Sequence, residues 1–254
     1  MKSGKGVVRT VLLALLVSAA SATQAVPLQD LLAGGSLTAG DKLFDQWSVV
    51  GNTGINVGAA TVTALPDGGL DPGPGFTLGF SPSQSATGSG TYTSRELILG
   101  FRVSSTDPAL SIKDASLGGF SGALSAAQGS VPLNCTPTGN PAAPCNDLGI
   151  RITESIYADA AGTLPLGSLS MTFNYFDGAS TTIFVGESNF PPASVVFVRQ
   201  DILLWAANAG DTANLSSFEA RFSQTATPVP EPSSLLLVGL ALAMLTATAR
   251  RHAG

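Results

Sequence analysis

Between Val26 and Thr225 the apolar residues come in short runs at a spacing of two, and most runs are closed by Gly, Pro, Asn or Asp. That spacing belongs to a strand, whose side chains alternate between two faces, and not to the 3.6-residue repeat of a helix. The runs at Tyr92–Val103, Gly149–Tyr157, Leu169–Tyr175, Thr181–Val185, Ser194–Trp205 and Leu215–Phe222 are rich in Val, Ile, Thr, Phe and Tyr, which suit a pleated, half-buried surface. Phe173 to Val185, with Phe176-Asp177-Gly178 at its middle, reads as a β-hairpin. Asp67–Gly75 and Pro132–Pro144 read as loops, and only Leu28–Ala33 suggests a helical turn. Many short strands of this kind predict an all-β fold, a single jelly-roll-like β-sandwich over residues 26–225. No repeat of fixed period and no linker divides that stretch.

The surface of such a domain has to be made of neutral polar groups, because charged residues are 11% of the chain against a usual share of about 25%. Helices with solvated faces would need more Glu, Lys and Arg. The formal charge of −5 also conceals an asymmetry, since Lys2, Lys5 and Arg9 sit at one end and Arg250 and Arg251 at the other. Without these five and Glu231, 7 basic residues (12 − 5) face 16 acidic ones (17 − 1), a net charge of −9. A domain so acidic is not built for nucleic acid or anionic lipid.

The two ends follow a different logic. Lys2, Lys5 and Arg9 precede an apolar run from Val11 to Val17 and then small residues from Ser18 to Ala25. That order of charge, short apolar stretch and small residues predicts a secretory signal peptide at 1–25, cleaved after Ala22 or Ala25. At the other end, Pro228, Pro230 and Pro232 surround Glu231 and lead to an apolar segment from Leu235 to Ala249, followed directly by Arg250-Arg251. Prolines cannot join a helix interior and keep this stretch extended. The apolar segment predicts a membrane helix of about 22 Å, short of the roughly 30 Å hydrocarbon core and suited to local thinning or snorkelling arginines. The arginines would stay cytoplasmic, leaving Pro230-Glu231-Pro232 on the far side of the membrane.

Val229-Pro230-Glu231-Pro232-Ser233-Ser234, the Leu/Gly/Ala-rich span and the closing Arg250-Arg251 together resemble the PEP-CTERM sorting signal of Gram-negative, exopolysaccharide-producing bacteria. The resemblance covers residues 226–254. It implies a sorting motif at Pro230, Glu231 and Pro232, and an exosortase-like membrane enzyme as partner. It further implies a transient stay at the inner membrane, then the cell surface or an extracellular biofilm matrix with exopolysaccharide as a further partner. Leu28–Trp47 and Arg199–Phe222 are similar, more softly, to the β-rich passenger domains of that family, for which no biochemical activity is implied.

The chemistry-bearing residues point away from catalysis. Cys135 and Cys145 enclose a Pro-rich loop, and in an exported chain they predict a disulfide worth about 2–3 kcal/mol rather than a metal or redox pair. The single histidine, His252, lies beyond the apolar span, so residues 26–225 hold no Ser-His-Asp or Cys-His catalyst and no His-ligated metal. Non-enzymatic, cofactor-free function is therefore expected. A carbohydrate-binding module for exopolysaccharide is the alternative. A glycoside-acting enzyme is a further one and would need two of Glu96, Glu154, Glu187 and Glu219 roughly 5–9.5 Å apart in one groove. Asp67 and Asp71, in a Gly-rich turn, have oxygen ligands suited to calcium but not the EF-hand spacing, so a plain turn is expected. Trp47, Trp205, Tyr92 and Tyr157 are expected to serve the core rather than a sugar platform. Asn134 and Asn214 head Asn-x-Ser/Thr triplets, a pattern common by chance.

Overall fold

The computed structural model describes residues 25–66, 71–126, 148–176, 179–185 and 187–226. The predicted signal peptide up to Gln24, Asp67, Cys135, Cys145, the sorting motif, the apolar span and Arg250-Arg251 lie outside these. Ala25, placed at the end of the signal peptide by sequence, opens the first strand.

Thirteen strands form among the described residues: β1 (Ala25–Pro27), β2 (Leu37–Ala39), β3 (Lys42–Thr53), β4 (Ala60–Leu65), β5 (Gly75–Thr87), β6 (Thr93–Ser105), β7 (Leu110–Ser125), β8 (Leu148–Tyr157), β9 (Pro165–Phe176), β10 (Ala179–Val185), β11 (Glu187–Ala193), β12 (Val195–Ala206) and β13 (Thr212–Ala226). A five-residue helix, α1 (Leu28–Leu32), and a 3₁₀ turn at Val57–Ala59 complete the set. Every predicted strand is present, usually extended by a few residues, and the predicted turn at Leu28 is α1.

The strands form two antiparallel sheets, one of six in the order β1-β4-β5-β13-β7-β11 and one of seven in the order β10-β9-β8-β12-β6-β3-β2. Most connections pass from one sheet to the other, so neighbours in sequence face each other across the core, as in a jelly roll. The β9–β10 hairpin pairs Phe176 with Ala179 around the predicted Asp177-Gly178 turn. Alternation along each strand sends one residue in two inward. In β6 these are Leu97, Leu99, Phe101 and Val103, all buried.

An aromatic cluster joins the sheets. Phe44 and Trp47 of β3 and Phe101 of β6 come from the seven-stranded sheet, and Phe76 of β5 and Phe222 of β13 from the six-stranded one. Phe44 meets Phe76 edge-on with ring centroids 5.3 Å apart, and Trp47 stacks on Phe101 at 4.6 Å. Offset and edge-on contacts of this kind add about 0.5–1.5 kcal/mol each beyond the area they bury. Leu28 and Leu31 of α1 are fully buried in the same core, which explains why a single helical turn survives in a β-protein.

Candidate functional site

β3 carries the irregularity that shapes the outer face of the seven-stranded sheet. Its pairing with β6 slips between Asp45 and Ser48, and Gln46 there adopts φ +55°, the left-handed region that side chains disfavour. An extra residue in the left-handed conformation is the signature of a β-bulge. The bulge lets Trp47 turn into the core while Asp45 and Gln46 stay outside, and a second slip follows between Val49 and Gly51. Val49 and Val50 consequently stand exposed on the surface.

Strand register then lines up side chains in rows across this face. One row contains Ser168, Ser155, Arg199, Gly100 and Ser48, running from β9 to β3. The next contains Tyr157, Phe197, Arg102 and Asp45. Between β3 and the end of β8 lies a half-open groove of about 230 Å³. Gln46, Ser48 and Val50 line it from β3, Phe197 and Arg199 from β12, and Tyr157 and Asp159 from the end of β8. Gly100 keeps the floor low, because a Cβ there would lie 2.8 Å from Ser48 Oγ and 3.3 Å from Val50 Cγ2.

The far wall is a tightly tied turn. The Asp159 carboxylate accepts from the Thr163 amide (3.0 Å), the Thr163 hydroxyl (2.8 Å) and the Leu164 amide (2.7 Å). The Leu164 bond, foremost, and the Thr163 bonds hold this carboxyl below the usual aspartate range. Arg199 donates to the Ala161 carbonyl at 3.2 Å and lies over the Tyr157 ring, 5.6 Å from its centroid. Across the groove, Arg102 grips Asp45 with two bonds, Nε to Oδ1 at 2.8 Å and NH2 to Oδ2 at 2.5 Å. The turn of the far wall is thus held by its own hydrogen bonds, and Asp45, which precedes Gln46 of the opposite wall, is tied to β6.

Further along the same face, Arg151, Leu203 and Glu96 form another row, with Asp201 one step away. Burial raises the Asp201 carboxyl, Glu96 adds to the rise, and Arg151 opposes it. Tyr92, at the edge of this group, is raised chiefly by burial.

The other residues singled out by sequence fall apart from one another. Glu154 points into the core from β8, Glu219 faces outward on the six-stranded sheet and accepts from Arg221 (3.2 Å), Glu187 opens β11, and Glu96 faces outward on β6 of the other sheet. Glu96, Glu154 and Glu219 do not share a groove. Trp47 and Trp205 are buried, whereas Tyr157 lines the groove and Tyr92 is exposed, so the expectation of core packing holds for the tryptophans and not for these tyrosines. Asp71 pairs with Lys113 at 3.0 Å, and Lys113 reaches Asp114 at 3.2 Å. Among the described residues no three His, Cys, Asp or Glu side chains gather as a metal site would require, and no helix is long and apolar enough to cross a membrane. Sequence reading did not single out Gln46, Gly100, Asp159 or Phe197 as site residues. The period of two puts Phe197, Arg199 and Asp201 on one face, but only sheet pairing brings β3 opposite them.

Comparison with known proteins bears mainly on the C-terminal end. No curated protein matches the chain. Among solved structures, TmCBM61 in complex with beta-1,4-galactotriose is similar over 69% of this chain and 87% of its own, at 12% identity and a TM-score of 0.27. The arabinose-bound MgGH51 α-L-arabinofuranosidase is similar over 79% of this chain and 27% of its own, at 16% identity and a TM-score of 0.22. Overlap that loose carries no argument about ligand or activity. Residues 228–251, in contrast, match the family model of the PEP-CTERM protein-sorting motif. The chain thus carries a PEP-CTERM protein-sorting motif, placed just after a β-sandwich whose last described strand ends at Ala226.

Proposed function

We infer that this chain is exported through its N-terminal signal peptide and held at the inner membrane by Leu235–Ala249. An exosortase-like enzyme then processes it at Pro230-Glu231-Pro232 and releases it to the cell surface or an exopolysaccharide matrix. There the sandwich acts by binding and not by catalysis. The motif match at 228–251 carries this reading. Its position supports it: β13 pairs with β5 up to Arg221 and with β7 up to Ala226, and the prolines that follow at 228, 230 and 232 lack the amide that a continuing ladder would need. The last described strand thus ends two residues before the matched motif begins.

The absence of histidine from residues 26–225 and the dispersal of Glu96, Glu154 and Glu219 favour binding over acid–base catalysis. Mass spectrometry of the protein isolated from its own host tests the sorting step. The expected mature chain ends upstream of Leu235. A mature surface protein that still contains Leu235–Ala249 would overturn processing and leave a plain C-terminal anchor.

A further inference from the structure

We propose that the groove between β3 and the β8 end of the seven-stranded sheet binds an uncharged polysaccharide. The proposal concerns this groove alone and stands or falls separately from the route by which the protein is sorted.

The groove's size argues for a polymer. Pockets that engulf small molecules are commonly about 300–1,000 Å³ and cover most of the ligand. A half-open groove of about 230 Å³ leaves most of a compact ligand in water. An extended chain gains what a single unit lacks, because its neighbouring units reach the rest of the face. That face continues from Tyr157 to Arg151 along β8, about 20 Å at the rise of a strand, with Ser155 and Thr153 between.

The lining argues for sugar. A pyranose ring has an apolar C–H face and a rim of hydroxyls. Phe197 and Tyr157 supply aromatic surface, while Gln46, Ser48 and Arg199 supply hydrogen-bonding groups on the same floor and wall. Arg199 spends one nitrogen on the Ala161 carbonyl, and its guanidinium has further donors to offer. These groups are already held in place by the Gln46 bulge and the Asp159 turn, so binding costs little ordering.

Charge argues for a neutral polymer. Residues 26–225 carry a net −9 by the count above, and Asp159 stands in the groove wall. A polyuronate would meet that repulsion with Arg199 as the one cation among the lining residues.

Affinity electrophoresis tests the proposal. The full-length chain, in a detergent without a sugar headgroup, is run through gels containing uncharged glucan, galactan or mannan, and through gels containing polygalacturonate. At least one uncharged polymer should retard the protein, to the same degree at low and at moderate salt. Arg199→Ala and Tyr157→Ala should each weaken retardation about tenfold or more, whereas Tyr157→Phe, which keeps the ring, should retain most of it. Val50→Glu, on an exposed rim residue that folding does not need, should block the groove without lowering the melting temperature and so covers the case in which the alanine variants misfold. The proposal is overturned if no uncharged polymer retards the chain, if polygalacturonate alone does so in a salt-sensitive way, or if folded Val50→Glu and Arg199→Ala bind like the wild type.

Discussion

Gln200 donates its side-chain amide to Oε2 of Glu154 at 3.0 Å, from β12 to the directly paired position on β8, in the closed interior of the sandwich. Both residues are fully buried, and Oε1 of each lacks a hydrogen-bond partner. A proton on Glu154 supplies the donor that these two oxygens need. Burial pushes the Glu154 carboxyl up from 4.5 to about 8, with the Gln200 bond opposing the rise, so the group is neutral at pH 7.

The pH dependence of stability follows from that proton. The unfolded chain releases it near 4.5, and the folded chain holds it until about 8. Glu154 therefore contributes its full stability below pH 4.5, and the contribution is lost as pH rises from there through about 8, by an amount on the order of 5 kcal/mol. Thermal melts between pH 4 and 9 should show a decline in this window that Glu154→Gln flattens, with the variant the more stable protein at pH 9. Parallel curves for the two proteins would place the titrating group elsewhere.

Lys42 is a second polar tie inside the sandwich. Its ammonium, fully buried on β3, bonds to the Asp41 carboxylate and to the Gln224 carbonyl of β13, and so joins the two sheets. Burial lowers its pKa and Asp41 raises it, the first effect being the larger. Lys42→Ala removes the stem as well as the charge, and leaves Gln224 without that donor. It should cost about 2–5 kcal/mol. Lys42→Met fills the space with an apolar chain and should cost much less, since a buried ion pair is often no better than a packed hydrophobe. Urea unfolding of the two variants reads the difference.

Gln46 should be a site where stability and shape part company. Its φ of +55° costs an ordinary side chain about 1–2 kcal/mol, which glycine avoids while adding flexibility to the unfolded chain. Gln46→Gly should leave stability unchanged or raise it by up to about 1 kcal/mol in chemical denaturation, while Gln46→Val, branched at Cβ, should lower it.

The proposed cleavage of a signal peptide has a structural consequence that can be tested. Ala25, Val26 and Pro27 of β1 pair with Thr63, Val62 and Thr61 of β4 at the edge of the six-stranded sheet. Cleavage after Ala22 leaves this short strand whole, whereas cleavage after Ala25 removes its first residue. The expected mature N-terminus is Thr23, and N-terminal sequencing of the exported protein that begins at Val26 would refute it.

Fold class was legible in the sequence because a two-residue apolar period is a local property. Strands with dense Val, Ile and Phe, such as Ser194–Trp205, were read nearly to their ends. β5 and β7 were not, for a physical reason. Pro82 interrupts β5, Gly118, Gly119 and Gly122 dilute β7, and both strands are held instead by β13, to which each is paired. The buried state of Glu154 and Lys42 was equally invisible, since a charged residue on a strand reads as solvent-facing unless its partner across the sandwich is known.

Two things about this protein are local and therefore written in its sequence: the alternating runs that make it all-β, and the ordered prolines, apolar span and arginines that make its C-terminal sorting motif. The groove belongs to tertiary structure alone. Its residues come from Gln46 to Arg199 along the chain, and they meet because the bulge in β3 shifts Asp45 through Val50 against β6 while β12 brings Phe197 and Arg199 alongside. Pairing between distant strands, and not the preference of any single segment, decides which side chains share that face.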